Sequence, residues 1–345
     1  MAGATIRDVA REAAASVASV SRVLNGSAQV RDSLRVRVEN AIATLGYVPH
    51  AGARSLSLAQ SNAIGVVLPD LHGEFFSELL RGMDQEASAR GRQLLLSNIH
   101  DDPARAVAAL QSMRGRVDGM VLMAPHLDPD ALMNGLPSAV PAVMVNCAPH
   151  RRPAAELRVD SVAGAVAAVE HLVASGRRRI VHVAGPDSNV DARDRRRGYE
   201  QAMAAAGLSP MILEGSFNEA DGVRAAEALI ARPGMADALF AANDMMAIGA
   251  MTTLREAGIG VPDDVAVVGF DDIPMARLIS PGLSTVRVDI AALGARAVAR
   301  LVRQIDGIVD HDIELHPPVL IVRGSSQSNT STTNPQGGSH GGTCS

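Results

Sequence analysis

The sequence predicts an all-α N-terminal headpiece followed by a larger α/β core, and three observations carry that reading. Residues 4 to 45 hold only short helix-compatible runs with three- and four-residue apolar spacing. From Ala63 onward, short β-rich runs alternate with longer amphipathic ones, the signature of parallel α/β architecture. Charge divides in the same place: residues 1 to 60 hold seven arginines against four acids, and the remainder holds 25 arginines against 33 acids. Only the first segment, at +3, is built to approach a polyanion, while the rest, at −8, is repelled by one.

Thr5, with Asp8 three residues later, reads as a capping box opening a first helix whose apolar stripe is Ile6, Val9, Ala10 and Ala13. Ser16 N-caps a second, Ser16 to Asn25, with Val20, Val23 and Leu24 on one face and Val17, Ala18, Ser21 and Arg22 on the other. Two short helices about three residues apart, the second exposing small and polar groups, form a helix-turn-helix that seats its second helix in the DNA major groove. A third helix, Asp32 to Leu45, turns Val38, Ala41, Ile42 and Leu45 toward the other two. Arg31, Arg35 and Arg37 are candidates for backbone phosphates, and Gly46-Tyr47-Val48-Pro49 ends the helix. His50 to Leu58 is a short helix-compatible run with Ala53 and Leu56 on one side, followed by a polar link to Asn62.

In the core, strands are expected at Ala63 to Leu68, Gln93 to Ser97, Gly119 to Met123, Ala142 to Val145, Arg179 to Ala184, Ala238 to Ala241 and Val265 to Phe270. Helices are expected at Phe75 to Arg90, Pro103 to Arg114, Ser161 to Ala174, Arg193 to Ala206, Asp221 to Ala231, Met245 to Ala257 and Ile290 to Asp306. The tail, 326 to 345, is Ser, Thr, Gly, Asn and Gln with little else, and is expected to be disordered.

These residues resemble the lactose repressor (LacI/GalR) family of transcription regulators. The likeness runs through Asp8-Val9-Ala10, Val20-Ser21-Arg22-Val23-Leu24-Asn25, Leu45-Gly46-Tyr47-Val48-Pro49 and Ala53-Arg54-Ser55-Leu56. It continues with Ile64-Gly65-Val66-Val67, Phe75-Phe76, Val117-Asp118-Gly119, Ala242-Asn243-Asp244, Gly269-Phe270-Asp271-Asp272 and Val322-Arg323-Gly324-Ser325. The resemblance implies a headpiece over 1–49, a hinge helix and linker over 50–61, and a core over 62–325 of two subdomains like a type I periplasmic binding protein. The subdomains fall at about 62–159 plus 289–316, and 160–288 plus 317–325. It further implies a homodimer on a pseudo-palindromic double-stranded operator. DNA contacts fall on Thr5, Ser16, Val17, Ala18, Ser21, Arg22, Asn25 and Arg31, with Ala53 and Leu56 in the hinge. There Leu56 wedges between base pairs in the minor groove. Arg22 is suited to guanine N7 and O6, and Val17 and Ala18 to thymine methyls. Ala14 and Ala15 stand where the family usually carries Gly and Val, and Gly73-Glu74 where it carries Asn-Pro.

The effector, a small hydroxylated molecule and by resemblance a sugar or sugar derivative, is expected in a cleft at the carboxyl ends of the strands. The residues carried over are Asp70, Phe75, Phe76, Asn146, Arg193, with Arg195 as second choice, Asn243 and Asp271. Plainer roles stand beside these: Phe75 and Phe76 as core, Asn243 and Asp271 as caps of helices and turns.

Other classes are argued against. No GxSxG, Walker or GxGxxG sequence follows a strand, so an enzyme is not expected. The histidines lack HxxxH spacing and the two cysteines, Cys147 and Cys344, lack CxxC partners, so neither metal nor cofactor is expected. Neither a secretory leader nor a membrane-length apolar run is present, which favours a cytoplasmic regulator over an exported solute-binding protein. Within transcription, repression is the first reading, with a corepressor-dependent regulator or an activator as alternatives.

Overall fold

The computed structural model describes residues 4–24, 30–47, 60–100, 102–136, 140–151 and 153–327. Asn25, Ala53 and Leu56, with the rest of the hinge run, lie outside the described residues, as does the tail from 328 onward.

The headpiece is three helices: α1 (Ile6–Glu12), α2 (Val17–Leu24) and α3 (Asp32–Leu45). The Thr5 capping box is formed in both directions: the Asp8 N–H donates to Thr5 Oγ1 and the Thr5 N–H to the Asp8 carboxylate. Ser16 caps α2 by accepting from the Ser19 N–H at 3.1 Å. Val9, Ala10, Ala13, Val20, Val38, Ala41 and Tyr47 form its small core. Gly46, at φ +58°, closes α3 in the left-handed conformation that glycine adopts without penalty. Before the first strand, the Asp118 carboxylate accepts from the N–H and hydroxyl of Ser61, at 2.6 and 2.8 Å, and from the N–H of Asn62, at 2.9 Å.

The core begins with β1 (Ala63–Leu68), α4 (Glu74–Ala89), β2 (Gln93–Asn98), α5 (Pro103–Met113), β3 (Gly119–Leu122), α6 (Pro129–Gly135), β4 (Ala142–Val145) and β5 (Ala155–Val159). It continues through α7 (Ser161–Ala174), β6 (Ile180–Val183), α8 (Val190–Ala205), β7 (Met211–Leu213), α9 (Glu219–Ile230), β8 (Ala238–Ala241), α10 (Asp244–Glu256), β9 (Ala266–Asp271) and β10 (Ser284–Arg287). The last elements are α11 (Ile290–Ile305), β11 (Ile313–His316) and β12 (Val319–Ile321).

Two six-stranded sheets result, in the orders β11-β5-β4-β3-β1-β2 and β12-β10-β9-β8-β6-β7. Pairing is parallel along β11-β5-β4-β3-β1 and along β10-β9-β8-β6-β7, and β12 joins the second sheet antiparallel. The chain passes between the two sheets three times: from β5 into α7, from β10 into α11, and from β11 into β12. Central strands read as apolar runs, interrupted only by His182 in β6 among β3, β4, β6 and β8, which are buried at every residue.

Paired helices pack closely where glycine removes the side chain. A methyl group on Gly82 of α4 would overlap the Ala291 carbonyl of α11, and one on Gly222 of α9 would overlap the Met246 carbonyl of α10.

Five strands and one helix depart from the expected elements. β7 and β12 are three residues long, too short to show a period. β10 and β11 mix polar with apolar residues, and α6 is a seven-residue helix opened by Asp128 and Pro129. β5 carries Glu156 and Arg158, yet Glu156 is fully buried with Arg158 Nε at 2.7 Å and His150 Nε2 at 3.3 Å from its carboxylate. Ser326, assigned to the disordered tail by composition, is buried instead; its hydroxyl donates to Ser284 Oγ at 2.7 Å, and the Ser325 carbonyl accepts from the Val267 N–H.

Candidate functional site

The described chain presents two surfaces with chemistry to offer, one in each unit. In the headpiece, α2 buries Val20 and half-buries Val23 and Leu24, leaving Val17, Ala18 and Arg22 exposed on one face. That face joins a guanidinium to two small apolar side chains. Ser16 and Thr5 spend their hydroxyls as helix caps, and Ser21 is half-buried. Arg31 occupies the N-cap of α3 without a side-chain capping bond, leaving its guanidinium exposed.

In the core, a cavity of about 170 Å³ opens at the carboxyl ends of β1, β3, β8 and β9. It is small beside the roughly 300–1,000 Å³ of a drug-sized pocket, so it suits a compact ligand. Asp70, Phe75, Phe76, Asn243 and Asp271 all line it, as do Glu74, Asn189, Asp191, Arg195, Ser216, Phe217 and Asn218. Phe75 and Phe76 form one wall edge to face, with ring centroids 5.3 Å apart. Asn243 serves as cap and lining at once: its Oδ1 accepts from the Met246 N–H at 3.0 Å and its Nδ2 donates to the Phe217 carbonyl at 2.8 Å. Phe217 adopts φ +68°, a conformation costly for an aromatic residue, which brings its ring over Gly185 and into the cavity wall.

The polar centre is Arg195. Its Nη1 donates to the Ala242 carbonyl and its Nη2 to Asp271 Oδ1 at 3.3 Å, while Cζ lies 3.8 Å from the centroid of the Phe270 ring. Its Nε is buried with no hydrogen-bond partner among the described residues. Burial pushes the Asp271 carboxyl up to about 7 despite the adjacent guanidinium, and the Asp191 carboxyl up to about 6 for the same reason. Asp244, deeper still, is raised well above the usual range by burial and by Asp271 beside it; it accepts from Thr285 Oγ1 and the Ile273 N–H.

Two expected residues stand apart from the cavity. Arg193 is exposed, with its Nη1 donating to the Asp187 and Ser188 carbonyls at 2.7 and 3.0 Å; the arginine that reaches the cleft is Arg195. Asn146 is buried behind the lining, where its Oδ1 accepts from the Val159 N–H at 3.0 Å and its side chain hydrogen-bonds Asp191. Asp191 and Phe217 were not foreseen. Phe217 carried a signal, as one of only five phenylalanines, set in the turn-like run Gly215-Ser216-Phe217-Asn218. Among the described residues no helix is long and apolar enough to cross a membrane.

A family model described as bacterial regulatory proteins, lacI family, matches residues 5–50, and one described as a periplasmic binding protein-like domain matches residues 169–326. The chain is similar to the ribose operon repressor of Escherichia coli (strain K12), 35% identical over 94% of this chain and 100% of that protein. It is also similar to the HTH-type transcriptional repressor PurR of Mannheimia succiniciproducens, 33% identical over 92% of this chain and 97% of that one. Among solved structures it resembles the lac repressor dimer bound to operator and the anti-inducer ONPF, with a TM-score of 0.86 and 30% identity over 94% of this chain and 99% of that one.

Proposed function

This chain belongs to the LacI family of bacterial regulatory proteins, and from that premise we propose that it represses transcription under the control of a small hydroxylated effector, a sugar or sugar derivative. It is a regulator and not an enzyme, as its relatives are transcriptional repressors. Its place of action is the cytoplasm, where its DNA lies.

One observation carries the effector reading: Asp191, Arg195, Asn243 and Asp271 converge on a single small cavity walled by Phe75, Phe76 and Phe217. Carboxylates accept from hydroxyl groups, the guanidinium and amide donate to them, and aromatic rings cover the apolar face of a sugar. On the DNA side, two copies of α2 in a homodimer meet two half-sites about one helical turn apart, so the operator is a pseudo-palindrome. Arg22 reads a guanine, and Val17 with Ala18 read thymine methyls. The dimer on operator seen for the lac repressor supports this arrangement.

Control is a coupling free energy between cleft and operator, typically about 1–3 kcal/mol and reciprocal. Titrating the full chain with a panel of aldoses, with and without operator DNA, tests it. The expected result is that the effective sugar binds about 5- to 150-fold more weakly to the operator complex. Equal affinity overturns the allosteric reading, and tighter binding to the complex assigns a corepressor.

A further inference from the structure

Of the side chains lining the cleft, four are carboxylates, Asp70, Glu74, Asp191 and Asp271, one, Arg195, is a guanidinium, and one, His72, is an imidazole. That guanidinium is already committed to Asp271, to the Ala242 carbonyl and to the Phe270 ring. Among the described residues, Asp70, Glu74 and Asp191 have no cationic side chain in salt-bridge contact. Asp70 accepts from the N–H groups of Leu71 and His72; Glu74 Oε2 accepts from the Met275 N–H at 2.8 Å; Asp191 Oδ1 accepts from Ser161 Oγ at 3.4 Å. Each of these three carboxylates is thus held in place by neutral donors, and Arg195 is the one guanidinium whose charge acts on Asp191.

We propose that the effector carries a basic nitrogen beside its hydroxyl groups, an amino sugar by class, and that Glu74 and Asp191 select it. The inference rests on the cleft being the effector site. A ligand ammonium adds positive charge to a lining that holds four carboxylates and one guanidinium, and its three donors match carboxylate acceptors. The aromatic walls favour the same ligand, because a cation is attracted to ring faces. A second, independent feature is Arg195, a guanidinium about nineteen-twentieths buried that lines the cavity and whose Nε has no hydrogen-bond partner among the described residues. A ligand hydroxyl accepts from the Arg195 guanidinium, which lines the cavity, while the amine meets the carboxylates. Burial displaces the Asp191 and Asp271 carboxyls upward, and the Arg195 charge opposes it. Phosphorylated and carboxylated sugars meet repulsion instead.

The selectivity belongs to this chain's own sequence. Glu74 opens α4, lines the cleft and accepts from the Met275 N–H at one carboxylate oxygen.

The test is calorimetric titration of the full chain with matched sets: glucosamine, galactosamine and mannosamine, each against its neutral parent and its N-acetyl derivative, with glucuronate and galacturonate as anions. At least one amine is expected to bind about tenfold or more tightly than its parent, N-acetylation to erase the gain, and the uronates to give no heat. Glu74→Gln and Asp191→Asn, which keep shape and remove charge, are each expected to cut the amine-to-parent ratio about tenfold. Glu78→Gln, one turn along α4 and outside the cavity, serves as the control and keeps the ratio. A neutral parent or a uronate that binds as tightly as the amine overturns this inference while leaving the hydroxylated-effector reading intact. An unchanged ratio in both carboxylate variants overturns it as well. Binding by none of the sugars overturns both readings.

Discussion

Ala14 holds the turn between α1 and α2 at φ +48°, where a Cβ crowds the neighbouring carbonyl at a cost of about 1–2 kcal/mol. Replacing it with glycine removes that strain and adds some unfolded-state entropy. Ala14→Gly should therefore strengthen the headpiece by about 1 kcal/mol, read as slower hydrogen exchange of the buried α1 and α2 amides; unchanged or faster exchange would show the turn to be unstrained. Arg22→Ala should lose about 1–3 kcal/mol of discrimination at one guanine of the operator, whereas a uniform loss across sequences would reassign Arg22 to the phosphate backbone. In the core, Arg195→Ala should remove the effector response, and Arg193→Ala should change it severalfold at most, as read by operator release in a mobility-shift titration. The reverse ranking would return the role to Arg193. Motif spacing alone does not separate these two arginines. Residues two apart on a helix point to nearly opposite sides, and which side faces the cleft is fixed by Phe270 and Asp271, far away in sequence.

Helix pairs are set by small residues at their crossings. Gly82→Ala drives a methyl group into the Ala291 carbonyl, so α4 and α11 must separate, with a loss of about 1–3 kcal/mol in urea unfolding. An unaffected midpoint would mean that the helices shift freely at this crossing. The long helices were legible to within a few residues because their apolar spacing repeats over several turns, as in α7 and α11. Strands were legible where both faces are buried and the run is continuous. They were hidden where partners in space neutralise a polar sequence: Glu156 in β5 reads as surface until His150 and Arg158 are found around it. The cleft was legible as a set of strand ends, but Phe217 enters through a backbone conformation that no side-chain pattern announces.

At the scale of the whole molecule, groups that burial has displaced in opposite senses contribute to how stability depends on pH. His182 is stacked between Tyr199 and Phe240, with Nδ1 donating to the Phe240 carbonyl at 3.0 Å, and burial lowers its pKa to about 4 from 6.5. The unfolded chain takes up this proton below pH 6.5 and the folded chain only near pH 4, so the stability contributed by the neutral ring is lost as pH falls through that window, on the order of 3 kcal/mol. Asp191 and Asp271 oppose it, because in the folded chain they bind their protons at higher pH than in the unfolded one. Against a His182→Phe variant, the wild type should lose stability between pH 6.5 and 4.5; parallel pH profiles would exclude a buried neutral ring. The triple passage of the chain between sheets has a consequence for biosynthesis. Both sheets receive an edge strand, β11 and β12, from one short stretch near residue 320. With chain growth at about 5–20 residues per second, the ribosome carries two five-stranded sheets for several seconds before either is complete. Early in that interval, before residues 310 and 312 are made, Arg300, whose guanidinium is destined for the Asp310 carboxylate and the Asp312 carbonyl, has neither partner. Translation stopped at residue 310 would therefore leave two unfinished edges rather than one finished subdomain.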